Sequence, residues 1–215
     1  MLQSSGLPSL EFLLPAAVIL VLSLSFHEAA HAWTADKLGD PTARGLGRLT
    51  LNPAAHVDPI GTILFPLLAM ASNLPLIGWA KPVPVGIQYL RGNWRQKFMV
   101  IAAAGPASNV VMALIGAAAL WIVSGGPPLE VAQGVVGQIL FAFVQLNLLL
   151  AVFNMVPVPP LDGGNVLAGL VSGPMADALD RIRPYGILIL YALMFLGVFS
   201  RIIFPVVLAL EDLLL

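Results

Sequence analysis

The chain is built from long apolar runs separated by polar connectors, and that pattern restricts it to folds in which helices sit in lipid. Residues 12–34 open with Phe12, Leu13, Leu14 and Pro15 and stay almost wholly apolar as far as Phe26. A bilayer core is roughly 30 Å thick and takes about 20 helical residues to cross. On that measure the sequence predicts spans over 12–34, 98–124, 134–157 and 186–210. A shorter apolar stretch at 60–77 contains Gly61, Pro66, Asn73 and Pro75. Lipid offers no hydrogen-bond partner to an open backbone, so such runs cross as helices. The expected class is an all-α polytopic membrane protein, with residues 1–215 forming a single membrane-embedded domain.

Composition narrows the functions. Only 10% of residues are charged against 59% hydrophobic, with a mean hydropathy of +0.93; a soluble domain carries about 25% charged residues. The absence of cysteine excludes disulfides, thiolate metal sites and cysteine nucleophiles. A net charge of -1 provides no basic field for nucleic acid, and no Gly-rich strand-to-helix loop suggests a nucleotide cofactor. The N-terminal apolar run lacks a basic leader, its first charge being Glu11, and it carries histidines near its end. It is read as a retained span rather than a signal peptide.

Those histidines form the sharpest motif, His27-Glu28-Ala29-Ala30-His31. Residues four apart stand one turn above each other on a helix, so His27 and His31 can present imidazole nitrogens to one zinc ion. Glu28 is adjacent and suited to take a proton from activated water. Three ionisable side chains near the end of an apolar helix are costly unless they have partners. A third protein ligand is needed, and spacing leaves His56, Asp58, Asp162, Asp177 and Asp180 open. Asp162 has the best local case. Pro157, Pro159 and Pro160 interrupt the chain before it, and Gly163-Gly164 lets backbone approach closely.

Parity bears on that choice. If 60–77 crossed the membrane, the ends of the first span and of span 134–157 would face opposite sides, separating His31 from Asp162. A re-entrant or interfacial 60–77 puts them on one side. Charge agrees: Lys37, Arg44, Arg48, Lys81, Arg91, Arg95, Lys97, Arg181 and Arg183 then share a side, opposite Glu11, Glu130, Glu211 and Asp212. By the positive-inside rule the basic side is cytoplasmic, which places the site toward the cytoplasmic half of a cell inner membrane.

Further motifs carry a resemblance. They are Asn52-Pro-Ala-Ala-His56-Val-Asp-Pro-Ile-Gly61, Gly78-Trp-Ala-Lys-Pro-Val-Pro84, Gly105-Pro-Ala-Ser-Asn109 and Asn154-Met-Val-Pro-Val-Pro-Pro-Leu-Asp-Gly-Gly164. In their order and spacing, together with the histidine motif, the chain resembles the site-2 protease family of intramembrane zinc metalloproteases, peptidase family M50. Within it, the chain is similar to the compact branch without PDZ or CBS domains. The resemblance implies Zn2+ as cofactor, His27, His31 and Asp162 as ligands and Glu28 as general base. It further implies a role for Asn154 in substrate binding or at the oxyanion. It also implies a helical bundle with a short strand-containing and re-entrant insertion. The weakly alternating segment 46–52 is the candidate for strand. His56 and Asp58 either line the mouth of the site or cap a turn. Asn109, in the Gly105-Pro106 interruption, either packs or hydrogen-bonds a ligand.

The expected reaction is hydrolysis of peptide bonds in or near transmembrane segments, with single-span membrane proteins or signal peptides as substrates. A metal transporter is the competing class, since buried His, Glu and Asp also mark ion pathways; against it, no inverted halves are evident.

Overall fold

A computed structural model describes residues 10–64, 80–126 and 134–215. Among these residues it is an all-α bundle with three helices long and apolar enough to cross a membrane. They are α1 (Leu10–Lys37), α2 (Trp94–Ser124) and α3 (Val135–Asn154). Four shorter helices follow: α4 (Asp162–Leu170), α5 (Pro174–Ile182), α6 (Gly186–Phe195) and α7 (Phe204–Leu214).

Local chemistry sets the ends of the spans. The Asn93 side chain accepts from Gln96 N–H at 3.3 Å and starts α2. Gly125, with φ of +68°, stops it in the left-handed conformation that a side chain disfavours. Pro106 lies inside α2 without ending it, so the Gly105-Pro106 pair is no helix boundary.

α2 is the central helix, packed against α1, α3 and α4. Its buried stripe includes Ile101, Gly105, Asn109, Ala113, Gly116 and Leu120, recurring every three or four residues. Small residues there let backbones come close. A Cβ at Gly116 would lie 2.7 Å from Phe143 Cδ1 on α3. Ala113 and Ala117 join Val144, Leu148, Ile203 and Val207 in the principal core cluster. The opposite face of α2 leaves Val110, Val111, Leu114 and Ile115 exposed, as suits a surface in lipid.

One expectation is corrected. Segment 46–52 is turn and irregular chain, and no strand occurs among the described residues. Gly47 reverses direction at φ +67°. Thr50 Oγ1 accepts from Asn52 N–H, and the Asn52 side chain accepts from Ala54 N–H to cap the turn Pro53–Ala55. These local bonds occupy backbone that a ladder would need. The stretch expected to form the last span, 186–210, is bent. Gly197, at φ +71°, and the π-turn Phe199–Ile203 divide it. The halves Pro174–Phe195 and Ser200–Leu214 meet at 68° and make a fourth span only if taken as a single broken one. The re-entrant or interfacial expectation for 60–77 falls mostly on residues 65–79, which lie outside the described residues; among the described ones Pro59–Leu64 forms a π-turn and no re-entrant insertion is seen.

The close approach at Gly116 is testable. Gly116→Val should cost about 1–3 kcal/mol by overpacking α2 against α3, measured as a shifted midpoint in detergent unfolding; an unshifted midpoint would contradict the packing described.

Candidate metal centre

Three side chains meet at the α1–α2–α4 junction. His27 and His31 project from one face of α1, and Asp162 is the first residue of α4. Their donor atoms are close: His27 Nε2 and His31 Nε2 are 3.1 Å apart, and Asp162 Oδ2 lies 3.1 Å from the first and 3.3 Å from the second. Both imidazoles are buried and Asp162 nearly so. Among the described residues these three form the group of His, Asp or Glu side chains able to share a metal ion.

Backbone geometry explains why Asp162 arrives there. After α3 the chain runs through Pro157–Pro160, and α4 begins by folding back onto that loop. A Cβ at Gly163 would collide with the carbonyl of Met155, and one at Gly164 would collide with the backbone at Pro159. Only glycine permits this contact. The carboxylate sits in the first turn of α4, where the helix dipole favours negative charge.

The donor set fits a metal. His31 Nδ1 lies 2.7 Å from the Ile101 carbonyl oxygen. A carbonyl only accepts, so Nδ1 carries the proton and Nε2 presents a bare lone pair. His27 Nδ1 likewise donates to Asn109 Oδ1 at 2.6 Å. Two lone pairs and a carboxylate thus converge in a buried space, an arrangement that repels itself without a cation. Tetrahedral zinc with bonds of about 2.0–2.1 Å separates its donors by about 3.3 Å, close to the spacing here. Gly105 of α2 forms a wall of this space: a Cβ there would run into Nε2 of both histidines.

Glu28 is buried beside the ligands on α1, and its Oε2 accepts from Val83 N–H at 3.0 Å. Val83 belongs to an extended strap, residues 80–86, stiffened by Pro82 and Pro84. The strap is tied down on both sides of Val83. Lys81 N–H donates to the His56 carbonyl at 2.8 Å, and the buried Arg48 guanidinium donates to the Lys81 carbonyl. Gly86 N–H donates to Asp40 Oδ2 at 2.7 Å, and Asp40 is wholly buried at the end of α1.

The remaining sequence candidates are placed as follows. His56 is buried under the strap with Nε2 on the Thr50 carbonyl at 2.8 Å, and it borders a small cavity against Val21, Leu24 and Ser25; it is not in the metal cluster. Asp58 Oδ1 accepts from Ile60 and Gly61 N–H and so caps the following turn. Asn154 is half-buried and donates to Leu150 O one turn back in α3. Asp180 pairs with Arg95 and Arg183 on the basic side, and Asp177 lies in the first turn of α5. Asn109 proves to be the partner of a ligand. Sequence reasoning gave no site role to Asn147, Ser23, Val83 or Arg48. For Asn147 a signal existed: it is a polar amide in the middle of the otherwise apolar α3, and such residues are costly in a membrane.

If Gly105 shapes the metal space, Gly105→Ala should weaken zinc binding about tenfold or more while leaving helix content unchanged. Chelator competition alongside circular dichroism checks this; equal affinity would contradict it.

Comparisons with known proteins agree with the geometry. The model of Peptidase family M50 matches residues 126–197. A Bacillus subtilis protein named as a candidate zinc metalloprotease, YwhC, is 36% identical over 203 residues, covering 93% of this chain and 89% of its own. Rip2 of Mycolicibacterium smegmatis, named in the same way, is 33% identical over 195 residues, covering 87% of this chain and 69% of its own. No solved structure gives a significant match.

Proposed function

The chain belongs to the M50 family of zinc metalloproteases, and from that premise we propose that it cleaves peptide bonds in or near transmembrane segments of membrane proteins. The observation that carries this reading is the convergence of His27 Nε2, His31 Nε2 and Asp162 Oδ2 within 3.1–3.3 Å on helices of a membrane bundle. His27, His31 and Asp162 would hold Zn2+. When bound, zinc supplies Lewis acidity, polarising a scissile carbonyl and making water acidic near neutral pH.

The chain's own residues do the rest. Glu28 follows the first ligand directly, and Val83 N–H holds its Oε2. Its other carboxylate oxygen takes a proton from the attacking water as the new C–O bond forms. It then passes that proton to the leaving amine as the C–N bond breaks. The hydrogen bond from the strap fixes the carboxylate in place, which shortens the search for a productive geometry. Asn154, at the end of α3, is assigned to the substrate or its oxyanion, as are His56 and, through its hold on His27, Asn109.

The membrane setting supports the substrate class. α1, which carries both histidines, is one of the helices able to span, so the peptide bonds within reach are those of lipid-embedded segments or segments beside them. Single-span proteins and signal peptides fit that requirement. The charge bias of the connectors supports an inner-membrane location with the site toward the cytoplasmic half.

Glu28→Gln should lower hydrolysis of a single-span reporter by about 10²–10⁴-fold while zinc stoichiometry stays unchanged, and uncut single-span proteins should accumulate in cells carrying the variant. Unaltered cleavage by Glu28→Gln would sink the general-base assignment, and full activity after zinc removal would sink the metal mechanism.

A further inference from the structure

Between α1, α2 and α3 lies a polar chain that enters the hydrolytic reading only through Asn109. Asn109 and Asn147 are both wholly buried, as is Ser23. Asn109 Nδ2 donates to Asn147 Oδ1 at 2.9 Å, with the Ser23 carbonyl at 3.5 Å from the same nitrogen. Asn147 Nδ2 donates to Phe143 O at 2.9 Å and to Ser23 Oγ at 2.9 Å. With Asn109 Oδ1 on His27 Nδ1, each amide nitrogen and oxygen of the two asparagines is engaged.

The direction of this chain is set at its far end. Phe143 O is a backbone carbonyl and can only accept. Asn147 must therefore turn its NH2 toward Phe143 and its Oδ1 toward Asn109. Asn109 must answer with its own NH2, which leaves its Oδ1 facing His27. His27 then has one compatible neutral tautomer, protonated on Nδ1 and bare on Nε2. The opposite Asn109 rotamer would turn an NH2 on His27, move the ring proton to Nε2 and remove the lone pair a metal needs.

We infer that Asn147 is a positioning residue for the metal site: acting through Asn109, it locks His27 in the tautomer that binds metal. This rests on the reading of His27, His31 and Asp162 as zinc ligands. Partners of this kind beyond the ligands commonly change metal affinity by about 10–100-fold.

The test uses the full chain in detergent and zinc as the probe, with affinity read by chelator competition rather than by proteolysis. Asn147→Leu should weaken zinc binding by about 10–100-fold. In an Asn109→Asp background the same substitution should cost far less, because a carboxylate accepts from His27 Nδ1 whichever way it is turned. Equal zinc affinity for wild type and Asn147→Leu overturns the inference, as does an equal loss in both backgrounds. A wild type that binds no zinc overturns the metal reading and this inference with it. Should Asn147→Leu fail to fold, the wild-type zinc form gives a check without any variant: the His27 Nδ1 proton should exchange slowly in NMR spectra, and rapid exchange would overturn the proposal.

Discussion

Placing two imidazole lone pairs and a carboxylate within 3.1–3.3 Å of each other inside an apolar bundle is tolerable only with a cation between them. Each group is costly to bury alone, and the cost rises where no water can screen it. The surrounding fold holds the three together against that repulsion. α2 presses Gly105 against the two histidines, α4 is folded back onto the Pro157–Pro160 loop to deliver Asp162, and the Nδ1 side of each ring is engaged by an acceptor from α2. Helix packing and metal chemistry are therefore the same design problem here.

The polar groups around the site form two separate supports. On the membrane side, Asn109, Asn147 and Ser23 satisfy one another and end on backbone carbonyls. A fully satisfied network of this kind is stiff, because every rotation would leave a donor or acceptor unpaired. On the connector side, Asp40, Arg48 and the His56 carbonyl tie down the strap that meets Glu28. The first support acts on a ligand and the second on the proposed base. They share no residue.

Much of this was legible in the sequence. The spacing of His27 and His31 determines that they share a helix face, and the prolines and glycines around Asp162 identify a sharp return of the chain. The apolar runs locate α1, α2 and α3 to within a few residues. What the sequence concealed depends on contacts between distant segments. Nothing local to Arg48 says that it reaches Lys81, and nothing near Val83 says that its N–H meets Glu28. The weak alternation at 46–52 resembled strand because side-chain-to-backbone bonds at Thr50 and Asn52 cannot be read from hydropathy. The bend in the last span turns on one glycine, Gly197, which hydropathy does not register.

X-ray absorption at the zinc edge of the purified chain probes the centre most directly. One zinc per chain is expected, with scattering from two imidazoles and additional oxygen ligands, and with that signature lost in Asp162→Ala or His27→Ala. A zinc environment without imidazole scattering, or one left unchanged by those substitutions, would contradict this ligand set.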